Sequence, residues 1–137
     1  MTVTVVDAFA ERPFTGNPAA VCVLGAPAPE AWMRGLAAEM NLSEPAFLTP
    51  GADGAFGLRW LAPEVEVDLC GHATLASAHV LFETGRLGPA AEACFDTKSG
   101  RLTVRQTGEA VYTMDFPSTP PVEAPADGLA AVIGAAP

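Results

Sequence analysis

The chain has 137 residues, of which 16 are acidic and 7 basic, for a net charge of −9. That length allows one domain with a real hydrophobic core, and the acidic balance argues against nucleic acid or an anionic membrane as a partner. Half of the residues are apolar, yet no apolar stretch approaches the ~18 residues that would cross a bilayer, so no membrane span is expected.

Thr2 to Phe9 is rich in Val and Thr and predicts a first strand. No basic flank precedes it, so no signal peptide is expected and the predicted location is cytoplasmic. Glu11 to Pro18 carries two prolines and a glycine and predicts a rigid turn, after which the apolar run Ala19 to Leu24 reads as a buried strand. The two strands would pair as a hairpin with an elaborate loop. Trp32, Met33, Leu36, Ala37 and Met40 then recur at helical spacing with Glu30, Arg34 and Glu39 between them, which predicts an amphipathic surface helix. Pro45 ends it, because the residue before a proline is pushed away from helical angles. Glu44 thus falls at a turn entering a short strand, Ala46 to Thr49, among the apolar neighbours Leu42, Ala46 and Phe47. Phe56 to Leu61 and Glu64 to Val67 alternate in polarity and predict two more strands.

Gly71 opens a second helix. From Ala73 to Phe82 apolar residues fall on every side, interrupted only by Thr74, Ser77 and His79, so the helix is expected to be buried almost all round, with Gly85 as its left-handed close. A helix start in a protein interior has unpaired backbone N–H groups and a partial positive end. Gly71, His72, Ala73 and Thr74 supply such groups, and Cys70 and His72 add a thiol and an imidazole. Two readings stay open: acid–base chemistry on a small carboxylate held there, or a core thiol, a capping histidine and a packing glycine. Cys22, Cys70 and Cys94 are widely spaced and odd in number, which fits neither a disulfide scaffold nor paired zinc ligands. Cys70 with His72 and His79 is poor ligand spacing along one helix, so no metal is expected.

Ala93 to Thr97, Leu102 to Gln106 and Ala110 to Asp115 predict a meander with turns at Ser99-Gly100 and Thr107-Gly108. Residues 116–125 hold four prolines and read as an extended linker; Ala126 to Ile133 looks like the opening of a further helix.

Three motifs together resemble the PhzF family of phenazine-biosynthesis-like isomerases, which share the diaminopimelate epimerase fold. They are Asp7-Ala8-Phe9 with Phe14-Thr15-Gly16-Asn17-Pro18-Ala19-Ala20-Val21, then Asn41-Leu42-Ser43-Glu44, then Leu69-Cys70-Gly71-His72-Ala73-Thr74-Leu75-Ala76, with Arg59-Trp60-Leu61-Ala62-Pro63 between the last two. The resemblance implies an α+β fold in which a mostly antiparallel, barrel-like sheet wraps a central buried helix, with a surface helix outside. It also implies that residues 1–115 are the first of two lobes, 116–125 the linker and 126–137 the start of the second, with the active site between them. By this resemblance Glu44 would remove and return a proton with His72 as its polar companion. Gly71, Ala73 and Thr74 would bind the carboxylate of a small metabolite, Asn17 would orient it or fix the turn, and no cofactor would be needed. Asp7 is expected to be structural. A second reading takes Cys70 as one of two thiols of an amino-acid racemase or epimerase, since a helix N-terminus lowers a thiol pKa. A third makes the chain a non-catalytic lobe, truncated or homodimerising, whose exposed cleft wall seeks a second copy or a complementary lobe.

Overall fold

The computed structural model describes residues 1–118, 120–123, 132 and 134. The Val- and Thr-rich start forms β1 (Thr2–Ala8), which pairs antiparallel with β2 (Asn17–Val23), Ala8 standing opposite Asn17. Asp7 fastens the loop between them: its Oδ2 accepts the Gly16 N–H at 3.1 Å. A side chain on Gly16 would run into the Ala8 carbonyl and come within 2.7 Å of Asp7 Oδ1, so the turn requires glycine. Asp7 is structural, as its position suggested.

Helix α1 (Glu30–Met40) turns Met33 and Ala37 inward, and Asn41 ends it with a left-handed φ of 50°. The stop thus comes four residues before Pro45, at a residue type that tolerates this conformation. Strand β3 (Ala46–Pro50) lies parallel to β2 and antiparallel to β4 (Phe56–Leu61). Only Glu66 and Val67 of the expected strand Glu64 to Val67 pair, as β5 (Glu66–Val67); a turn closed by the Ala62 N–H on the Val65 carbonyl takes up the rest. Helix α2 (Gly71–Glu83) crosses to β6 (Glu92–Thr97), parallel to β4, and β7 (Gly100–Gly108) and β8 (Val111–Asp115) complete the expected meander.

The strands form one mixed sheet in the order β1-β2-β3-β4-β6-β7-β8, with β5 attached to β4. Alternation along each strand divides its side chains between two cores. Val21, Ala46, Leu48, Leu58, Trp60, Phe95, Leu102 and Val104 point at α2, while Cys22, Leu24, Phe47 and Leu61 meet Met33 of α1 on the opposite face. This is the expected α+β half-barrel around a central helix.

The burial of α2 is less complete than its composition predicts. Leu75 and His79 are only half-buried, because the sheet stops at β1 on one side and β8 on the other. A cleft of about 320 Å³ opens there, floored by Leu75 and His79 and walled by Val6, Tyr112 and Met114. His79 Nδ1 and the Tyr112 hydroxyl are 2.8 Å apart, and Tyr112 stacks on Phe82, tying β8 to the helix.

An ionic network binds β5 to its surroundings. Arg59 grips Glu66 through two bonds of 2.8 and 2.7 Å and reaches Glu30 of α1 at 2.8 Å, while Lys98 lies 3.0 Å from Glu66. Glu66 is 9% exposed, and the Arg59 guanidinium holds its carboxyl at about 2. Residues 116–118 and 120–123 have no regular secondary structure, and the helix expected over Ala126 to Ile133 lies, except for Val132, outside the described residues. Among the described residues no helix is long and apolar enough to cross a membrane.

Candidate active site

The site gathers where the chain enters β3 and where it enters α2. Ala46 stands opposite Trp60, and Trp60 opposite Val67. Glu44 lies two residues before Ala46, and the chain after Val67 turns to bring Cys70 beside it. Val21 pairs with Ala46 in parallel, which brings the start of β2, with Asn17, to the end of the sheet where Glu44 lies. Cys70, with extended φ and ψ of −142° and 109°, is the N-cap of α2.

Three side chains converge there. The Cys70 thiol lies 3.7 Å from Glu44 Oε2 and 3.3 Å from His72 Nδ1, and His72 Nε2 faces Glu44 Oε2 at 3.9 Å. The His72 side chain is 10% exposed and Glu44 28%. Nε2 of His72 and Nε1 of Trp60 are the buried side-chain nitrogens without a hydrogen-bond partner among the described residues. A buried, unpartnered imidazole nitrogen beside a carboxylate is costly unless something occupies the space before it.

The surroundings of Glu44 differ from the apolar pocket expected. Leu42 is half-buried and Phe47 points to the α1 side of the sheet, so the near neighbours of the carboxylate are the imidazole and the thiol. Cys70 departs from expectation in the opposite sense. Burial, reinforced by the Glu44 carboxylate, pushes its thiol up to about 11 against the opposing hydrogen bond from the Ala73 N–H. The helix start is present, but desolvation outweighs its field.

The expected donors sort themselves along the first turn. Thr74 is fully buried, its N–H bonded to the Cys70 carbonyl at 3.2 Å and its hydroxyl to the same oxygen at 2.6 Å. It caps the turn from inside, both of its donors being spent on the Cys70 carbonyl. Ala73 turns its N–H to the Cys70 sulfur. Gly71 and His72 keep N–H groups that have no intrahelical acceptor by position. A Cβ placed on Gly71 meets no atom within 4 Å, so this glycine serves no internal packing contact. Asn17 is exposed at the rim and pairs through its backbone with Ala8. His79 is occupied by Tyr112 in the cleft along the helix and stands apart from the triad; Tyr112 carries no motif by which sequence could have singled it out.

The half-barrel and its helix-start site define an epimerase-like α+β fold. A hydroxyproline epimerase from Agrobacterium vitis, at 16% identity, shares that fold with a TM-score of 0.57 over 74% of this chain and 36% of its own. Residues 6–136 match the PhzC-PhzF family, phenazine biosynthesis-like protein, and the chain belongs to that family. A protein of Halalkalibacterium halodurans called an uncharacterized isomerase is 55% identical over 85% of this chain and 43% of its own length. One of Pseudomonas aeruginosa, also called an uncharacterized isomerase, is 49% identical over 99% and 52%. A crystallised PhzC/PhzF phenazine biosynthesis protein from Clostridium difficile superposes with a TM-score of 0.84 at 42% identity, covering 98% of this chain and 51% of that one. The chain spans about half the length of the curated relatives it matches.

Proposed function

We propose that this chain supplies one wall of a cofactor-independent isomerase that moves a proton on a small carboxylate-bearing metabolite. The observation carrying the reading is the convergence of Glu44 and His72, 3.9 Å apart, beside the free end of α2. Glu44 as carboxylate takes a proton from carbon and becomes a carboxylic acid, and the same group returns that proton to another carbon. The charge that develops on the substrate carboxylate meets the Gly71 and His72 N–H groups and the positive end of the helix. His72 orients Glu44 and donates to the substrate.

The wall is open on one side, and the relatives called isomerases are about twice as long. A complementary second lobe or a second copy of the chain is therefore part of the proposal, as is a cytoplasmic location. The two-thiol reading is disfavoured by the thiol at about 11, a poor base at neutral pH. The test measures solvent deuterium exchange into candidate carboxylates by the assembled protein. Glu44→Gln is expected to remove exchange and Cys70→Ser to retain it; loss in the Cys70 variant alone would overturn the reading in favour of thiol chemistry.

A further inference from the structure

We infer that Glu44, Cys70 and His72 form a capture site for a zinc-class divalent cation, which occupies the same donors that the proton-transfer reading uses. No metal was expected from the sequence, because Cys70, His72 and His79 are badly spaced along one helix. The fold supplies a different third donor, Glu44, from 26 residues upstream of Cys70.

Three observations carry the inference. A carboxylate oxygen, a thiol and an imidazole nitrogen lie within 4.8 Å of one another, the combination a borderline-soft cation prefers. The thiol lies 3.7 Å and His72 Nε2 3.9 Å from the same Glu44 oxygen, close to the spacing around tetrahedral zinc, about 3.4–3.6 Å from ordinary zinc–sulfur, zinc–nitrogen and zinc–oxygen lengths; the 3.3 Å contact with the thiol is made by the other ring nitrogen, Nδ1. The third is independent of spacing: His72 is nine-tenths buried, and its Nε2 faces the carboxylate without a hydrogen-bond partner. A cation between them satisfies that nitrogen through a bond that the resting side chains do not make. One ring nitrogen binds the cation, and water takes the fourth position.

Binding replaces the thiol S–H bond by a sulfur–metal bond and releases that proton to solvent, one per ion. The bound ion holds the Glu44 oxygen and the His72 ring together, so capture and proton transfer exclude each other. A metal-bound form would be a reversibly blocked one.

Cobalt(II) titration of the 137-residue chain tests this, because a thiolate–cobalt bond has its own near-ultraviolet charge-transfer band and needs no turnover. One equivalent is expected to produce the band, zinc(II) to abolish it by displacement, and zinc(II) in weak buffer to release one proton. Cys94→Ser is expected to keep the band and Cys70→Ser to lose it. Glu44→Gln and His72→Gln are expected to weaken binding more than about 100-fold, beyond the 10–100-fold that outer-shell changes cost. Absence of the band, its survival in folded Cys70→Ser, or its loss in Cys94→Ser overturns the inference. Proton release from the unaltered chain guards against a variant that fails to fold. The isomerase reading can fail on exchange while this one stands, and the reverse.

Discussion

At the scale of single residues, the site is a contest between a helix field and burial. The sequence places Cys70 at a helix start, and that alone predicts a lowered thiol pKa. It does not reveal that the sulfur is nearly enclosed or that a carboxylate from another element lies 3.7 Å away, and both facts reverse the sign. Glu44 and His72 were legible as chemistry-bearing residues through their motifs, but the approach of Glu44 to Cys70 was not, because it joins residues 26 apart on different elements. Relative to an ordinary thiol at 9.0, a value of about 11 leaves roughly 100-fold less thiolate at neutral pH. Alkylation of Cys70 by iodoacetamide should be slowed accordingly, and should quicken as pH rises toward 11; mass spectrometry of the labelled peptide reads both. Gly71→Ala makes the complementary case. The added methyl meets nothing inside the protein and improves helix propensity by up to about 1 kcal/mol. The urea midpoint should therefore hold or rise, while carboxylate affinity measured by calorimetry falls about tenfold or more through obstruction of the free N–H groups, a change of about 1.4 kcal/mol.

At the scale of elements, periodicity found the two helices and nearly all the strands, since each alternation of Val, Leu and Ala records a face of the sheet. It failed where local hydrogen bonding competes: the turn at Ala62–Val65 shortens β5, and Asn41 ends α1 ahead of the proline. The ionic network on β5 was not legible, because its members come from α1, β4, β5 and the β6–β7 turn. Its pH signature follows from Glu66. The folded carboxyl sits at about 2 against an ordinary 4.5, so its stabilising contribution is present above about 4.5 and is lost as pH falls toward 2. Urea midpoints measured between pH 2 and 7 should show that loss in the unaltered chain and a flatter profile in Glu66→Gln. Gly16→Ala should lower the midpoint by the equivalent of about 1–3 kcal/mol, since the new methyl is forced against the Ala8 carbonyl and the Asp7 carboxylate.

At the scale of the whole molecule, composition argued against nucleic acid or an anionic membrane as a partner and the motifs pointed to a fold, yet the open side of the half-barrel could not be read from either. Apolar residues all round α2 describe a closed environment; the half-buried Leu75 and His79 instead face the gap between β1 and β8. Under the proposed function, a monodisperse monomer of this chain should catalyse no exchange, which sedimentation together with the deuterium assay would establish. The gap has a further consequence, for handling rather than catalysis. Among the described residues β1 and β8 each pair on one side only, leaving two rows of backbone donors and acceptors unpaired. Thr2 to Val6 contains no charge and no proline, and Val5 and Val111 are more than half exposed. Such edges template intermolecular β-pairing and slow aggregation in concentrated solution. Val5→Lys should reduce thioflavin-positive aggregate on storage without moving the urea midpoint, because a charge on an exposed edge blocks strand addition while leaving both cores intact.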